Sequence, residues 1–134
     1  MEMRNANSTE ALKEKFKHEK ENKDHLDTET REGQIHLARL RLQNSNLNAN
    51  LYSINLSETP ACDCGNASET TEHYLLECPR YHEIRNDLFQ EIDFIQYLSP
   101  MILLSGSSKL TRDQNTQVIQ ATQTFILKSK RFKT

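Results

Sequence analysis

The chain has no tryptophan, and only 35% of its 134 residues are hydrophobic, against 27% charged. That is a thin supply of core-forming side chains. Small domains bury a smaller share of their surface than large ones, so a chain of this size and composition is expected to add a disulfide or a metal to its core. It also lacks net positive charge. A formal charge of −2 argues against whole-molecule attraction to nucleic acid or to an anionic membrane, which leaves local basic patches as the only electrostatic route to either. Long apolar runs are absent as well. "MILLSG" is the longest uncharged apolar stretch, and the opening "MEMRNANSTEALKEKF" has nothing resembling the apolar region of a signal peptide. With 3 cysteines, an odd number, a full disulfide framework is excluded and thiolate chemistry in a reducing compartment is expected. The expectation is one soluble, intracellular domain with no membrane partner and no small-molecule substrate.

What is present is mostly helical pattern. Residues 1–30 are rich in Lys and Glu and read as a charged linker or solvated helix, with a short amphipathic stretch at Ala11, Leu12, Lys15 and Phe16. His18 and His25 read there as solvated residues. From Arg31 the apolar positions Ile35, Ala38 and Leu42 recur at helical spacing, widened by Leu37 and Leu40. The Asn- and Ser-rich run from Asn44 to Asn50 should end that helix. A short helix is expected over 69–77, closed by Pro79, which then opens the next helix as a first-turn proline. Tyr81, Ile84, Leu88, Ile92 and Ile95 form that helix's apolar stripe. After the breaks at Pro100 and Gly106, Thr111 caps a final helix whose Val118, Ile119, Thr122, Phe125 and Ile126 face the core. The fold class is therefore mainly α. Residues 31–134 form a small helical domain organised around one site at 62–78.

That site is "CDCGNASETTEHYLLEC". Three thiols and one imidazole, Cys62, Cys64, His73 and Cys78, fall within 17 consecutive positions. Zinc takes four such ligands in a tetrahedron. Gly65 follows the first pair directly and can take the positive φ of a tight turn around a metal. His73 and Cys78 are five apart, which on a regular helix separates their faces, so the helix must end near Cys78 for them to converge. Alternatives account for less. Cys62 and Cys64 are too close to pair without strain, and inert buried thiols explain neither Gly65 nor Pro79. A nucleophilic cysteine needs a partner that lowers its pKa, whereas Asp63 and Glu77 would raise it. Four protein ligands leave no open position for water or substrate, so the expected zinc is structural and the chain is not an enzyme. Glu72 suits the N-terminal end of its helix, and either Glu72 or Glu77 can orient His73.

Once these elements are placed in order, the chain from about Arg31 to Phe132 resembles the C-terminal region of non-LTR (LINE-type) retrotransposon reverse transcriptases. The matching elements are Arg39-Leu40-Arg41, Leu47 with Leu51, Cys62-Asp63-Cys64-Gly65, Glu69-Thr70 with His73, and Cys78 with Tyr81 and Arg85. The tail "LLSGSSKL" through "FILKSKRF" is similar to the end of such polyproteins, and the stretch before Arg31 is similar to the spacer after their ribonuclease H domain. The resemblance implies a zinc-binding module attached to a polymerase and endonuclease, assisting contact with template RNA or target DNA. No polymerase Asp pair, ribonuclease H carboxylate set or endonuclease motif is present, so these residues should neither polymerise nor cleave. The candidate nucleic-acid contacts are Arg39, Arg41, Arg80, Arg85, Lys128, Lys130, Arg131 and Lys133, with Tyr74 or Tyr81 available to stack on unpaired bases. The competing expectation is a structural or protein-interaction module that docks on the polymerase body without touching nucleic acid.

Overall fold

The structure is a computed structural model that describes residues 20–132, with side chains from residue 31 onward. The expectations for Ala11, Leu12, Lys15, Phe16, His18, the side chain of His25 and Lys133 lie outside the described residues. The chain divides into two compact units, Met1–Arg31 and Glu32–Thr134, and the Cys/His site belongs to the second.

Five α-helices are described: α1 (Lys20–Arg41), α2 (Asn48–Ser53), α3 (His82–Glu91), α4 (Pro100–Ser105) and α5 (Arg112–Ser129). Between α2 and α3 lie a π-helical turn, His73–Glu77, and a 3-10 turn, Pro79–Tyr81. No strand occurs among the described residues. The fold is mainly α, as the periodicity required.

α5 forms the spine. Thr111 accepts from Gln114 N–H while the Gln114 side chain returns to the Thr111 N–H, a reciprocal cap that satisfies two otherwise orphaned donors. Val118, Thr122, Phe125 and Ile126 are buried along it, and α3 and α4 pack against this helix. Leu88 from α3 and Leu103 with Leu104 from α4 complete the apolar centre. α4 enters at a Ser99 cap with Pro100 in its first turn. It leaves through Gly106, where a φ of +77° and the closeness of Asn115 Oδ1 to the place a Cβ would occupy exclude any side chain. Asn115 spans that exit, accepting from Ser107 N–H and donating to Ser107 C=O.

Two expectations need correction. The buried stripe of α1 is Gly33, Leu37 and Leu40, whereas Ile35 and Leu42 are exposed at 47% and 72%. The cause is Gly33, whose missing side chain brings α1 against α5: an added Cβ would lie 3.0 Å from Gln123 Cβ. That approach fixes which side of α1 turns inward. The helix after Pro79 also ends earlier than its apolar stripe, at Glu91, so Ile92 and Ile95 pack from the turns beyond it.

Candidate metal centre

Each donor is placed by a local backbone device. Cys62 and Cys64 sit on a tight turn in which Gly65 N–H donates to Cys62 C=O and Cys62 N–H donates to Asn66 C=O, both at 2.9 Å. Gly65 has φ +102° with open space where a Cβ would be, so backbone conformation alone requires glycine there. His73 begins the π turn, and Cys78 N–H closes it on His73 C=O at 2.7 Å. A bond from residue i+5 to residue i widens the turn, so residues five apart lie nearly over one another. This brings His73 and Cys78 together within the turn itself. Cys78 then leaves in an extended conformation, with ψ 124°, and Pro79 starts the next turn.

The result is a cluster whose four ligand atoms all lie within 4.8 Å of one another, with Cys62, His73 and Cys78 buried and Cys64 half-buried. Cys62 Sγ is 3.7 Å from Cys78 Sγ, and Cys64 Sγ is 3.3 Å from His73 Nε2. The first distance is far too long for a disulfide. It suits the edge of a tetrahedron whose metal–sulfur bonds are about 2.3 Å, an edge of about 3.8 Å. Nε2 faces the thiols while Nδ1 lies 3.4 Å from Glu77 Oε1, so the ring is oriented by its second nitrogen, a usual arrangement for a metal-ligating histidine. Of the two acidic candidates, Glu77 makes this contact. These residues can hold one metal ion.

The electrostatics of the site are governed by Arg80, which its sequence position had placed among the possible phosphate contacts. Arg80 Nη2 donates to Cys62 Sγ at 3.3 Å and Nε to Cys78 Sγ at 3.5 Å. Burial pushes the Cys62 thiol up to about 11. Burial also acts upward on Cys78, but hydrogen bonds from the Arg80 side chain and backbone outweigh it and bring that thiol down to about 7. Asp63 and Glu77 were the charges expected to set thiol acidity, whereas Arg80, with the neighbouring thiols, lowers Cys78 and burial dominates at Cys62.

The other basic candidates divide into two groups. Arg85 is buried and donates to the carbonyls of Leu75 (2.9 Å), Tyr74 (2.9 Å) and Cys78 (2.7 Å). It satisfies acceptors that the end of the π turn leaves open, and no edge of it is left for a phosphate. Arg131 forms a two-pronged pair with Glu69, both contacts at 2.8 Å. Arg41 donates through Nε (3.1 Å) and Nη2 to the Leu104 carbonyl. Arg39, Lys128 and Lys130 are exposed, Lys128 at 4.0 Å from Asp87. Tyr74 and Tyr81 have no face for a base. They are buried edge-to-face against each other at 5.3 Å, and Tyr74 hydrogen-bonds Ser129 at 2.7 Å.

Sequence reading did not single out Glu69 as a charge partner. It is 1% exposed and accepts from Arg131, from Arg80 and from Asn48 N–H (2.7 Å). Burial alone would raise its pKa, but those donors and charges hold the carboxyl below the usual carboxylate range. Its sequence signals were its place in the Glu69-Thr70 element of the resemblance and at a predicted helix start, neither of which pointed to a charge partner. Compared with known proteins, the chain matches no family model, no curated protein and no solved structure.

Proposed function

We propose that the chain is a zinc-stabilised, non-catalytic module of a retrotransposon reverse transcriptase, and that its zinc shapes a surface that docks on the polymerase body. The observation that carries this reading is the donor set. Three sulfurs and one imidazole nitrogen converge within 4.8 Å, a soft combination that suits zinc, and four such ligands leave no position for a water or a substrate. Cys62, Cys64, His73 and Cys78 would hold the ion, which would supply cross-linking of the chain. The parent enzyme rests on the resemblance described above.

Docking is favoured over direct nucleic-acid reading because Arg80, Arg85 and Arg131 spend their donors inside the fold. Among the described candidates, contact with RNA or DNA would then fall to Arg39, Lys128 and Lys130. Native mass spectrometry and X-ray absorption on the reduced chain test the proposal, with one zinc per chain and three sulfur ligands plus one nitrogen expected. An oxygen ligand would overturn the non-catalytic part, and a metal-free reduced chain would overturn the whole. A salt titration of RNA and DNA binding separates the two surfaces. Those three cations predict a slope of log K against log salt no steeper than about −3, and a steeper slope would restore the nucleic-acid reading.

A further inference from the structure

Arg80 is where the Cys/His cluster meets the rest of the fold. Besides its bonds to Cys62 Sγ and Cys78 Sγ, its Nη2 donates to Glu69 Oε2 at 3.1 Å, and Nη1 lies 3.7 Å from Asp63 Oδ2. The far side of the Glu69 carboxylate is held by Arg131, which also donates to the Asn46 carbonyl at 3.1 Å. The next residue, Phe132, stacks on His36 at 5.2 Å and lies edge-on to Tyr74 at 5.4 Å. One buried carboxylate thus joins a cation at the candidate metal centre to Arg131, which lies 62 positions beyond the carboxylate in sequence.

Three thiolates and a neutral imidazole around a divalent ion leave one negative charge. N–H donors from a cation, aimed at two of the sulfurs, offset that charge. Groups that orient and polarise ligands in this way typically change metal affinity about 10–100-fold. Arg80 can serve only if its fork is held over both sulfurs, and Glu69 holds it. Arg131 competes for neither sulfur, but it fixes Glu69.

We infer that Arg80 is a positioning residue that tightens metal binding at Cys62, Cys64, His73 and Cys78, and that Glu69 links metal occupancy to the seating of Arg131 and Phe132. This inference rests on the zinc reading. The linkage is reciprocal: whatever factor the seated segment adds to metal affinity, the metal adds to the seating of the segment.

The test is zinc affinity of the full, reduced chain, by competition with a chromophoric chelator. Arg80→Met should bind one zinc about 10-fold more weakly or worse, and Arg80→Lys should recover part of the loss. Arg131→Met should weaken binding less. The double variant should lose less than the sum of the two, because both act through Glu69. With cobalt(II) in place of zinc, the thiolate-to-metal charge-transfer band should shift in Arg80→Met and shift less in Arg131→Met, a signature that general destabilisation does not produce. In the wild type, chelation should speed amide exchange at residues 128–132, and in Glu69→Gln it should do so less. Wild-type zinc affinity in Arg80→Met, or an additive cycle, would overturn the inference and leave the zinc reading standing. A wild-type chain that binds no metal would remove both. Should Arg80→Met fail to fold, an unshifted cobalt band in Arg80→Lys would count against the role of Arg80, and unchanged exchange at 128–132 on chelation would count against the link.

Discussion

From Leu88 to Ile126 the buried residues are aliphatic or aromatic except for Thr122 and Gln123, whereas from Ser45 to Arg85 they include Glu69, Thr71, His73 and Arg85 beside the two buried cysteines. The first region is mostly regular helix, and its order follows from apolar burial along α5. The second is turns, one π turn and a six-residue helix, α2. Such segments have little regular hydrogen bonding to offset the entropy of fixing them, even with Leu47, Tyr74 and Leu75 fully buried. There the specifying contacts are polar and point-like: four ligand atoms, one carboxylate between two arginines, one guanidinium on three carbonyls. One region is held by area and the other by named bonds.

Removing the metal should break that comparison most visibly. Structural zinc contributes on the order of 10 kcal/mol to the folding of a site of this type. Chelation, or Cys78→Ser, should therefore remove amide protection from Cys62 to about Leu88 and lower the helical circular dichroism signal, while α5 as far as Leu127 stays protected. An unchanged spectrum would mean that the turns hold without a metal. Loss of protection throughout α5 would mean the two regions form one cooperative unit.

The reciprocal change is Phe125→Ala. This ring is 2% exposed and meets Tyr74 at 5.4 Å and Tyr81 at 6.1 Å. Truncating a buried phenylalanine costs about 3–5 kcal/mol. The expected outcome is a large fall in the thermal midpoint, with the folded chain still binding one metal at nearly the same affinity. A parallel fall in metal affinity would show that Tyr74 and Tyr81 transmit the core's packing to the cluster.

How much of each region was legible in the sequence follows the same division. Pro79, Gly65 and the Thr111 cap act within a few residues, so their roles could be read directly, and the four ligands were marked by type and spacing. The inward face of α1 was misread because two overlapping stripes satisfy the same period. The choice between them lies with Gly33 and a residue 90 positions away, Gln123. The π turn has no sequence signature of its own, and it solved the five-residue spacing in a way that helix termination alone did not. Which arginines bond within the fold could not be read for a third reason. A basic residue near a cluster looks like a ligand contact until its acceptors are known, and the acceptors of Arg85 and Arg131 are set by tertiary structure.

Glu69 allows a sharper test of the polar region. Its carboxyl is held below its unfolded value, so its contribution is complete above about pH 4.3, the ordinary glutamate pKa, and is lost as pH falls through the lowered folded value. Breaking a buried pair costs about 3–5 kcal/mol, and the partial exposure of Arg80 and Arg131 reduces this to about 2 kcal/mol for Glu69→Gln at pH 7. Urea midpoints of the zinc-loaded wild type and variant, taken as a difference across pH, should converge in acid. By the linkage above the variant loses metal at a higher pH than the wild type, so the difference is compared only at pH values where both remain fully loaded. A gap that stays constant with pH would mean the amide packs poorly in the carboxylate's place for a reason unrelated to charge.

The smallest expected effect bears on whether the exposed cations matter. Lys130 ends α5 in the left-handed conformation, φ 56°, a position where helices favour glycine. Lys130→Gly should stabilise the chain by about 0.5–1 kcal/mol through relief of that backbone cost, and Lys130→Asn should recover part of it. The same substitution removes one of the three candidate cations exposed among the described residues. If stability rises and RNA affinity is unchanged, the lysine is an imperfect helix cap and the docking reading gains. If stability rises while affinity falls and the salt slope shrinks by about 1, the left-handed lysine is a strained residue kept for contact with nucleic acid. The area-held region would then carry the binding surface, and the bond-held region would be its scaffold.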